Sequence, residues 1–474
     1  MRFNLPFLTR AVPNAQLLQG ELGEPLTFSI DSRTTTPDEL FVALPGSRVD
    51  GHDFIPEVLE RGCKGLVIAH DRKDLLKNLS PSLLAHKIII AVPNTHDALL
   101  SLAAHWRAQF SIPVIAITGT VGKTSTKELL AAIMERNGTP YLTTQGTQNT
   151  ALGIALTMLR LRAHHAGMIV EAGISQRGEM QRIADIVRPT AALITMIGHG
   201  HLAGLGSITE VATEKRELFH YLKEDQIAFI NGDQELLTHV GYRHPVIKFG
   251  LKTTNQIQAR KLVVNSFSLR FSLRIYKEKY EVTIPRNHAG IVNQILAATA
   301  VAHSLGVPIP TILDVIQQPP VVPGRFESRP LKTGGIIIND CYNANPESMK
   351  AALLAFQKIE TTGKKIAILG DMLELGTETA FWHRQIGRFL RKVPSLNHLI
   401  LVGSHVQWIA QTAPAGIKVE RVSTWQEALP KLEQHLHEQS LILVKASRGM
   451  TLDKIVQAVS FDVAKAKGQR EVQS

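Results

Sequence analysis

A glycine-rich loop between an apolar run and a helical pattern constrains the fold of this chain more than any other feature. The apolar run at residues 114–117 predicts a buried strand, and from Thr126 the apolar residues follow helical spacing. Between them stands the segment TGTVGKTS, residues 118–125. Glycines let backbone N–H groups converge on an anion, and the N-terminus of a helix adds partial positive charge. We therefore predict that this loop binds phosphate.

The loop differs in spacing from the common phosphate-binding pattern GxxxxGK[ST], because Ile117 stands where the first glycine would be. A glycine-rich turn that only packs is the alternative interpretation. The strand, the lysine, the paired hydroxyls and a helix ending at Asn137-Gly138 together favour a nucleotide site. The predicted nucleotide-binding residues of the loop are Gly119, Thr120, Val121, Gly122, Lys123, Thr124 and Ser125.

The size and composition fit a globular protein of several domains. A length of 474 residues suggests about three domains, and 44% apolar residues supply ample core material. Only two cysteines are present, so we expect no disulfide framework and a reducing compartment. No signal peptide is recognisable, and no apolar run approaches the ~20 residues that span a bilayer. We expect a soluble, cytoplasmic protein that is a monomer.

The charge of the chain narrows the class of partner. A formal net charge of +11 favours anionic partners. Aromatic residues make up only 5% of the chain, and no dense block of Lys and Arg interrupts it, which argues against nucleic acid. A highly phosphorylated small substrate suits this charge equally well.

Residues 1–110 form the first predicted unit. Apolar runs at 28–30, 40–44, 65–69 and 87–92 alternate with helix-like stretches and predict an α/β arrangement. Two loops after these runs carry small hydroxyls beside an arginine, which suits a phosphate or a nucleobase edge. Solvated turns are the simpler interpretation of each loop alone. The residues concerned are Ser32 and Arg33 in one loop and Ser47 and Arg48 in the other.

Residues 111–321 form the second predicted unit, a parallel sheet around the phosphate loop. Glu171 ends a buried-strand pattern, and a carboxylate at that edge of the sheet is a natural ligand for Mg²⁺. The next strand pattern, 191–197, leads into Gly-His-Gly-His at 198–201, which suggests a site more than a core. Residues 262–284 alternate between apolar and polar and predict an antiparallel hairpin at the sheet edge.

Residues 322–474 form the third predicted unit, after a proline-rich boundary at 319–323. Strand patterns alternating with helices predict a Rossmann-like sheet. Polar residues, among them Asp340, Asp371 and Lys445, stand at the ends of these strands. The fold class is therefore α/β with three domains: a first α/β domain, a central parallel sheet like that of P-loop ATPases with an added antiparallel hairpin, and a Rossmann-like third domain.

A set of motifs occurs in one order along the chain. They are DSR at 31–33, PGSRVDGHDF at 45–54, TGTVGKTS at 118–125, HLAGLGS at 201–207, PGRFE at 323–327, DCYNANPESM at 340–349 and LGDMLELG at 369–376. In this order they resemble the Mur ligases of peptidoglycan synthesis, from about residue 28 to about residue 448. The last two blocks resemble the branch of the family that adds D-alanyl-D-alanine.

The chain departs from the usual family pattern at several positions. His199 and Gly200 precede His201 where an acidic residue and an alanine are usual, and Ala203 replaces the glutamate of HLEG. The usual HNxxN motif corresponds to residues 288–293, one residue longer. The departures leave Lys123, Glu171 and His201 of the predicted site in place.

The resemblance implies an ADP-forming peptide ligase. ATP, with Mg²⁺, would phosphorylate the carboxylate of UDP-N-acetylmuramoyl-tripeptide, and D-alanyl-D-alanine would attack the acyl phosphate. The first domain would then bind the uridine diphosphate through the four loop residues named above. Two anions meet in the first step, so positive charge and metal ions would supply most of the stabilisation.

The resemblance also assigns roles to residues. Lys123, Glu171, His201 and Lys215 would be catalytic, and Thr124, Glu171, His201 and Lys215 would hold metal. Lys215 matches a position that is a carbamylated lysine in several Mur ligases, and a surface lysine paired with Glu214 or Glu217 is the alternative. Besides the loop, ATP would contact Asn293, Arg325, Asp340 and Tyr342, with Arg325 arriving when the third domain closes. Asn149, Asn343 and Asn345 would contact the peptide substrate, although Asn-rich loops also form turns.

Two other functions stay open at the level of sequence. A sister ligase would add a single amino acid to a shorter UDP-muramoyl peptide. A P-loop ATPase acting on nucleic acid is more distant, because the sequence offers neither an aromatic platform nor a basic run.

Overall fold

The computed structural model describes residues 2–461, except 147, 267 and 287. Its strands form three sheets that follow one another along the chain, of five, nine and six strands. Each lies inside one of the three predicted domains, whose limits at 110 and 321 stay predictions. Within the described residues, no helix has the length and apolar character needed to cross a membrane.

The first sheet is parallel except at one edge. Its strands are β1 (Gln16–Gln19), β2 (Thr27–Ser29), β3 (Glu39–Val42), β4 (Gly65–Ala69) and β5 (Ile88–Val92), with helices α1 (Leu5–Ala11), α2 (Ile55–Glu60), α3 (Pro81–Leu84) and α4 (Thr95–Arg107). The order is β1-β5-β4-β3-β2, with β1 antiparallel to β5. The apolar runs predicted β2 to β5. They missed β1, whose sequence QLLQ is half exposed and carries no strand periodicity.

The second sheet surrounds the phosphate loop. Its strands are β6 (Val114–Thr118), β7 (Tyr141–Thr143), β8 (Gly167–Glu171), β9 (Ala191–Ile194), β10 (Ile227–Asn231), β11 (Val246–Gly250), β12 (Ile257–Val264), β13 (Leu269–Ile275) and β14 (Glu278–Ile284). Its helices are α5 (Lys123–Arg136), α6 (Ala151–Leu159), α7 (Glu179–Val187), α8 (Leu202–Leu205), α9 (Ile208–Arg216), α10 (Glu235–Thr238), α11 (Ile291–Ser304) and α12 (Ile309–Gln317). The order is β14-β13-β12-β11-β10-β9-β6-β8-β7.

Strands β6 to β12 of this sheet are parallel, and β13 and β14 extend it as an antiparallel hairpin, as the alternating pattern predicts. The hairpin pairs with β12, which itself runs parallel to β11. Strand β9 ends at Ile194, three residues earlier than predicted, because the chain turns there towards α5: Thr195 Oγ1 donates to the Val121 carbonyl at 2.7 Å.

The third sheet is also mixed. Its strands are β15 (Glu327–Pro330), β16 (Ile336–Asp340), β17 (Lys365–Gly370), β18 (His398–Val402), β19 (Lys418–Val422) and β20 (Leu441–Lys445), with helices α13 (Pro346–Lys358), α14 (Thr379–Phe389), α15 (Gln407–Ala410), α16 (Trp425–Glu433) and α17 (Asp453–Val459). The order is β15-β16-β20-β17-β18-β19, with only β15 antiparallel. The edge strands β15 and β19, with sequences ESRP and KVERV, were not predicted because their residues are mostly polar.

The phosphate loop lies where the strand order of the second sheet reverses. Strand β6 pairs with β8 on one side and with β9 on the other. The connections that build the sheet therefore run in opposite directions from this strand. A crevice opens outside the carboxyl ends of parallel strands at such a reversal, and ligands bind there. The fold therefore places the loop, the end of β8 and the segment after β9 around one crevice.

Trp106 joins the first two sheets through α4. Its indole N–H donates to the Leu161 carbonyl at 3.1 Å, and its ring is 2% exposed. Phe3, Phe7 and Phe110 surround the ring with centroids 5.7–6.3 Å away. The N-terminal helix, α4 and the end of α6 thus share one apolar core.

We predict that Trp106→Phe lowers the free energy of unfolding by about 1–3 kcal/mol, because the buried Leu161 carbonyl loses its donor. Urea unfolding measures the change. The control is Trp425→Phe, since this half-buried indole makes no hydrogen bond among the described residues. Equal decreases in the free energy of unfolding of the two variants would show that the smaller ring, and not the lost hydrogen bond, destabilises the protein.

Candidate active site

The phosphate loop has a backbone that only glycine allows at two positions. Gly119 has φ +146° and Gly122 has φ +92°, both in the region that disfavours side chains. A Cβ at Gly119 would lie 2.0 Å from Thr195 Oγ1, so the loop packs directly against the segment after β9. Helix α5 begins at Lys123, the residue after Gly122, and the N-terminus of this helix faces the crevice.

Lys123 lies across the mouth of this helix. Its Nζ donates to the Gly119 carbonyl at 2.8 Å, which folds the side chain back over the loop. The pKa of Lys123 is lowered because the surrounding protein shields the ammonium from water; Glu171 opposes this shift, and the charge of Arg325 adds to it. An anion in the loop would raise the pKa of Lys123 and so favour its charged form.

Glu171, the last residue of β8, is 1% exposed and only half satisfied. Its Oε1 accepts hydrogen bonds from Thr124 Oγ1 at 3.2 Å and from Asn149 Nδ2 at 3.0 Å. Its Oε2 has no hydrogen-bond partner within the described part of the chain. A buried carboxylate oxygen without a partner is costly unless a cation reaches it.

Lys215 lies in α9 with a side chain that is completely buried. Its Nζ has no partner among residues 2–461 as far as they are described. Burial lowers the pKa of Lys215 well below its usual value, and the charge of Lys123 lowers it further. The structure therefore contradicts the surface alternative, in which this lysine would pair with Glu214 or Glu217.

His201 follows β9 and adopts a left-handed backbone with φ +60°. Its Nδ1 lies 2.6 Å from Glu374 Oε2, a residue of the LGDMLELG block in the third domain. This contact with the His201 ring lowers the pKa of Glu374. The second and third domains therefore meet at this histidine.

Arg325 makes a second contact between these two domains. Its Nη2 donates to Thr124 Oγ1 at 3.2 Å, and its guanidinium lies 3.7 Å from the centre of the Tyr342 ring. Asp340, at the end of β16, pairs with Lys445 at 2.7 Å and accepts from the Phe326 N–H at 3.1 Å. In this structure the third domain already lies against the phosphate loop.

Two cavities flank these contacts, and both include Val121 and Arg325 in their walls. The first, of about 600 Å³, is largely apolar and includes Ser125, Leu129, Asn293, Val321, Phe326 and Asp340 in its lining. The second, of about 560 Å³, is polar and includes Thr120, Lys123, Asn149, Glu171, His201 and Tyr342. The Oδ1 of Asn293 is buried and has no hydrogen-bond partner among the described residues.

The two asparagines of the YNANP segment also form turns, as the simpler interpretation expects. Asn343 Oδ1 accepts from the Ala344 N–H at 2.8 Å, and Asn345 caps α13 by accepting from the Ser348 N–H at 2.9 Å. Both residues nevertheless line the polar cavity, so turn formation and ligand contact are compatible here.

The four loop residues of the first domain line neither cavity. Arg33 forms a paired contact with Asp31 at 2.7 and 2.8 Å, Ser32 is buried, and Ser47 and Arg48 are exposed. The two loops follow β2 and β3, which are parallel neighbours, so they lie at the same edge of the first sheet.

Sequence reasoning missed several residues of the polar cavity. His96 at the start of α4, Glu179 and Arg182 of α7 and Arg448 after β20 all line it. Arg182 donates to His96 and to Asp97 at 3.1 Å. No motif marks these residues. Only their positions next to the carboxyl ends of predicted strands could have identified them.

Models of protein families match all three sheets. The Mur ligase family catalytic domain matches residues 27–107, the Mur ligase middle domain matches 117–302 and the Mur ligase glutamate ligase domain matches 324–448. The chain is 31% identical to UDP-N-acetylmuramoyl-tripeptide–D-alanyl-D-alanine ligase of Bacillus subtilis, over 95% of this chain and 98% of that one. The chain belongs to the Mur ligase family.

Solved structures agree with this family assignment. A MurF crystal structure from Acinetobacter baumannii aligns with a TM-score of 0.84 and 27% identity, covering 97% of this chain and 98% of that one. MurF from Thermotoga maritima, solved in complex with ADP, aligns with a TM-score of 0.77 and 26% identity, covering 91% and 96%. The three-domain α/β arrangement of this Mur ligase is therefore confirmed.

Proposed function

We propose that this Mur ligase uses ATP to join D-alanyl-D-alanine to UDP-N-acetylmuramoyl-tripeptide, forming ADP, in the synthesis of peptidoglycan precursors. The Bacillus subtilis relative named above carries that ligase activity in its name and matches the chain over nearly its full length. The observation that carries the proposal is the Glu171 oxygen that has no partner among the described residues and lies beside Lys123 in the polar cavity.

The apolar cavity suits the base and ribose of ATP. Leu129, Val321 and Phe326 offer apolar surface, and Asn293 offers an amide oxygen that has no hydrogen-bond partner among the described residues. The phosphates would then extend into the glycine loop, where the helix N-terminus and Lys123 favour negative charge. Arg325, which borders both cavities, would contact the transferring phosphoryl group.

Mg²⁺ fits the residues around Glu171. A buried carboxylate oxygen without a donor, beside the Thr124 hydroxyl, is the type of oxygen ligand that Mg²⁺ prefers. Thr124, Glu171, His201 and a modified Lys215 would hold the metal, which supplies charge stabilisation at the phosphates when bound. Asn149 donates to the other Glu171 oxygen and so fixes the orientation of the carboxylate.

The proposed reaction has two steps. A carboxylate oxygen of the tripeptide attacks the γ-phosphorus and the bond to the β-phosphate oxygen breaks, which releases ADP and leaves an acyl phosphate. The amine of D-alanyl-D-alanine then attacks the carbonyl carbon, phosphate leaves, and the nitrogen loses a proton. Lys123 and Arg325 lower the repulsion between carboxylate and phosphate in the first step, which is the largest electrostatic barrier.

The uridine diphosphate would bind at the carboxyl edge of the first sheet. The loops carrying Ser32, Arg33, Ser47 and Arg48 lie at that edge, and so does His96, which follows β5 and lines the polar cavity. A substrate that starts at these loops and extends past His96 would bring its peptide end to Lys123. Arg33 would have to exchange its contact with Asp31 for one with phosphate.

We propose that the active form is a monomer. The two cysteines, Cys63 and Cys341, are both free and buried, in agreement with a cytoplasmic enzyme.

A coupled assay of ADP release tests the proposal. We expect turnover with UDP-muramoyl-tripeptide, ATP, Mg²⁺ and D-alanyl-D-alanine together, and little without the dipeptide. Replacing the dipeptide by single amino acids, with a UDP-muramoyl peptide one residue shorter, tests the sister ligase. Release of ADP under that second condition alone would overturn the choice of D-alanyl-D-alanine, and ADP release stimulated by DNA or RNA would overturn the family of reaction.

We predict that Lys123→Ala lowers ligase turnover by on the order of 10²-fold or more, because the developing charge at the phosphates loses its nearest cation. The fold should persist, since Nζ contacts only the loop carbonyl of Gly119. Lys252→Ala, which removes an exposed lysine of the same domain, is the matched control. A folded Lys123→Ala enzyme with normal ADP release would remove Lys123 from the site.

We further propose that Lys215 carries a carbamate. Burial of an amine without a partner among the described residues favours its neutral form, and the neutral amine is the form that attacks CO₂. The nitrogen forms a bond to the carbon of CO₂ and releases one proton, which leaves a carboxylate-like group. That group would offset the positive charge of Lys123 and Arg325 and supply an oxygen ligand for metal.

Lys215→Ala should lower turnover by on the order of 10²-fold, and acetate or propionate should restore part of it by supplying a carboxylate in the vacated space. The assay is ADP release at increasing carboxylate concentration, with Lys123→Ala as the variant that acetate should not rescue. If the Lys215→Ala enzyme is active and indifferent to acetate, the carbamate is wrong.

A further inference from the structure

Three potential metal ligands converge at the far edge of the third domain. His398 is the first residue of β18, Glu420 lies in the middle of the edge strand β19, and His435 follows α16. One ligand atom from each lies within 4.8 Å of the other two. None of these residues takes part in the mechanism above, because the site lies at the carboxyl ends of the strands and His398 begins its strand.

The sheet and α16 together create this cluster. Strands β18 and β19 are parallel, with Ile400 paired to Glu420, so His398 and Glu420 point to the same face of the sheet. Helix α16 covers that face through Ala428 and Leu432, which pack in one core with Ile400. The chain leaving α16 then brings His435 over the two strand residues.

Both imidazoles approach the same carboxylate oxygen. His398 Nε2 lies 2.8 Å from Glu420 Oε1, and His435 Nε2 lies 3.4 Å from it. Two ligand atoms bound to one tetrahedral zinc ion lie roughly 3.3 Å apart, since each bond is about 2.0–2.1 Å long. The three side chains are therefore close to the spacing that a small, tetrahedral cation requires.

His398 supplies a second, independent sign of a missing ligand. It is 4% exposed, and its Nε2 has no hydrogen-bond partner among the described residues, although it lies close to Glu420. A buried polar atom without a hydrogen-bond partner calls for an explanation, and a bound ion is one such explanation.

Glu420 can bind one more partner through its Oε1 atom. Its Oε2 accepts from Lys431 Nζ at 2.7 Å, which helps to hold the pKa of the carboxyl at about 2. The same lysine occupies only Oε2, so Oε1 stays directed at the two histidines. Lys418 Nζ lies 3.6 Å from Oε1 and would have to turn towards solvent, which its 64% exposed side chain allows.

We propose that His398, Glu420 and His435 form a binding site for a divalent transition metal of the zinc class. Two imidazoles and one carboxylate match the ligand preference of Zn²⁺, and of Co²⁺ and Ni²⁺, and not that of Mg²⁺. Water would complete the fourth position on the exposed side of His435. The metal would tie β18, β19 and the end of α16 together and so stabilise the edge of the sheet.

The test is a titration of the metal-free, full-length enzyme with Zn²⁺ alone, followed by calorimetry, with excess Mg²⁺ present to occupy the ATP side. We expect one site that His435→Gln and Glu420→Gln each weaken at least tenfold. His437→Gln removes an exposed histidine two residues away and should bind Zn²⁺ like the unmodified enzyme. Zn²⁺ should also raise the thermal midpoint of the unmodified enzyme and of His437→Gln only.

Co²⁺ provides a spectroscopic readout that distinguishes a metal site from a cluster of ion pairs. A tetrahedral Co²⁺ site absorbs strongly in the visible range, and we expect this band in the unmodified enzyme and its loss in His435→Gln. Ligase activity of His435→Gln confirms that the variant is folded. Equal Zn²⁺ affinity and equal Co²⁺ spectra in the unmodified enzyme and His435→Gln would overturn the proposal and leave an ion-pair cluster only.

Discussion

The burial of Glu171 at the end of β8 is the constraint on which the rest of the site depends. One carboxylate oxygen is held by Thr124 and Asn149, and the other has no partner among the described residues. A carboxylate at 1% exposure is stable only beside compensating charge, and the nearest candidates are Lys123 and a bound cation. The reversal of strand order at β6 brings these groups to one crevice, so the topology and the electrostatics support each other.

The contacts between the second and third domains follow the same logic. Each pairs a group of the central domain with a group of the third domain: Arg325 with Thr124, Glu374 with His201, and Glu347 of α13 with His199 at 2.5 Å. Glu374 belongs to the LGDMLELG motif, and His199 is a position where the chain departs from the usual family pattern. The interface between the domains therefore shares Thr124, His201 and Arg325 with the proposed reaction centre.

Much of the central fold could be predicted, and the reasons for success and failure are physical. Buried parallel strands such as β6, β8, β16 and β20 are continuous apolar runs, and the glycine loop needs its residues in a fixed local order, so both are visible in the sequence. Edge strands β1, β15 and β19 are half exposed and polar, which removes the periodic signal. His96, Arg182 and the cluster of His398, Glu420 and His435 come together only through tertiary packing. The burial of Lys215 depends on tertiary packing for the same reason. Helical spacing predicts which face of α9 carries this lysine, but not which residues cover that face.

The positive groups of the site would make docking of the third domain and binding of nucleotide depend on each other. Arg325 lowers the pKa of Lys123, and Lys123 lowers that of Lys215, so positive charge on each of these groups opposes positive charge on the next when the third domain lies against the loop. In the proposed reaction, the phosphates of ATP and a carbamate on Lys215 supply the missing negative charge. Any anion that binds the docked arrangement more tightly than the separated one stabilises docking by the same free energy that docking adds to its binding. In the proposed reaction, Arg325 would therefore act twice, as a contact for the phosphoryl group and as the group whose repulsion makes docking conditional on that contact.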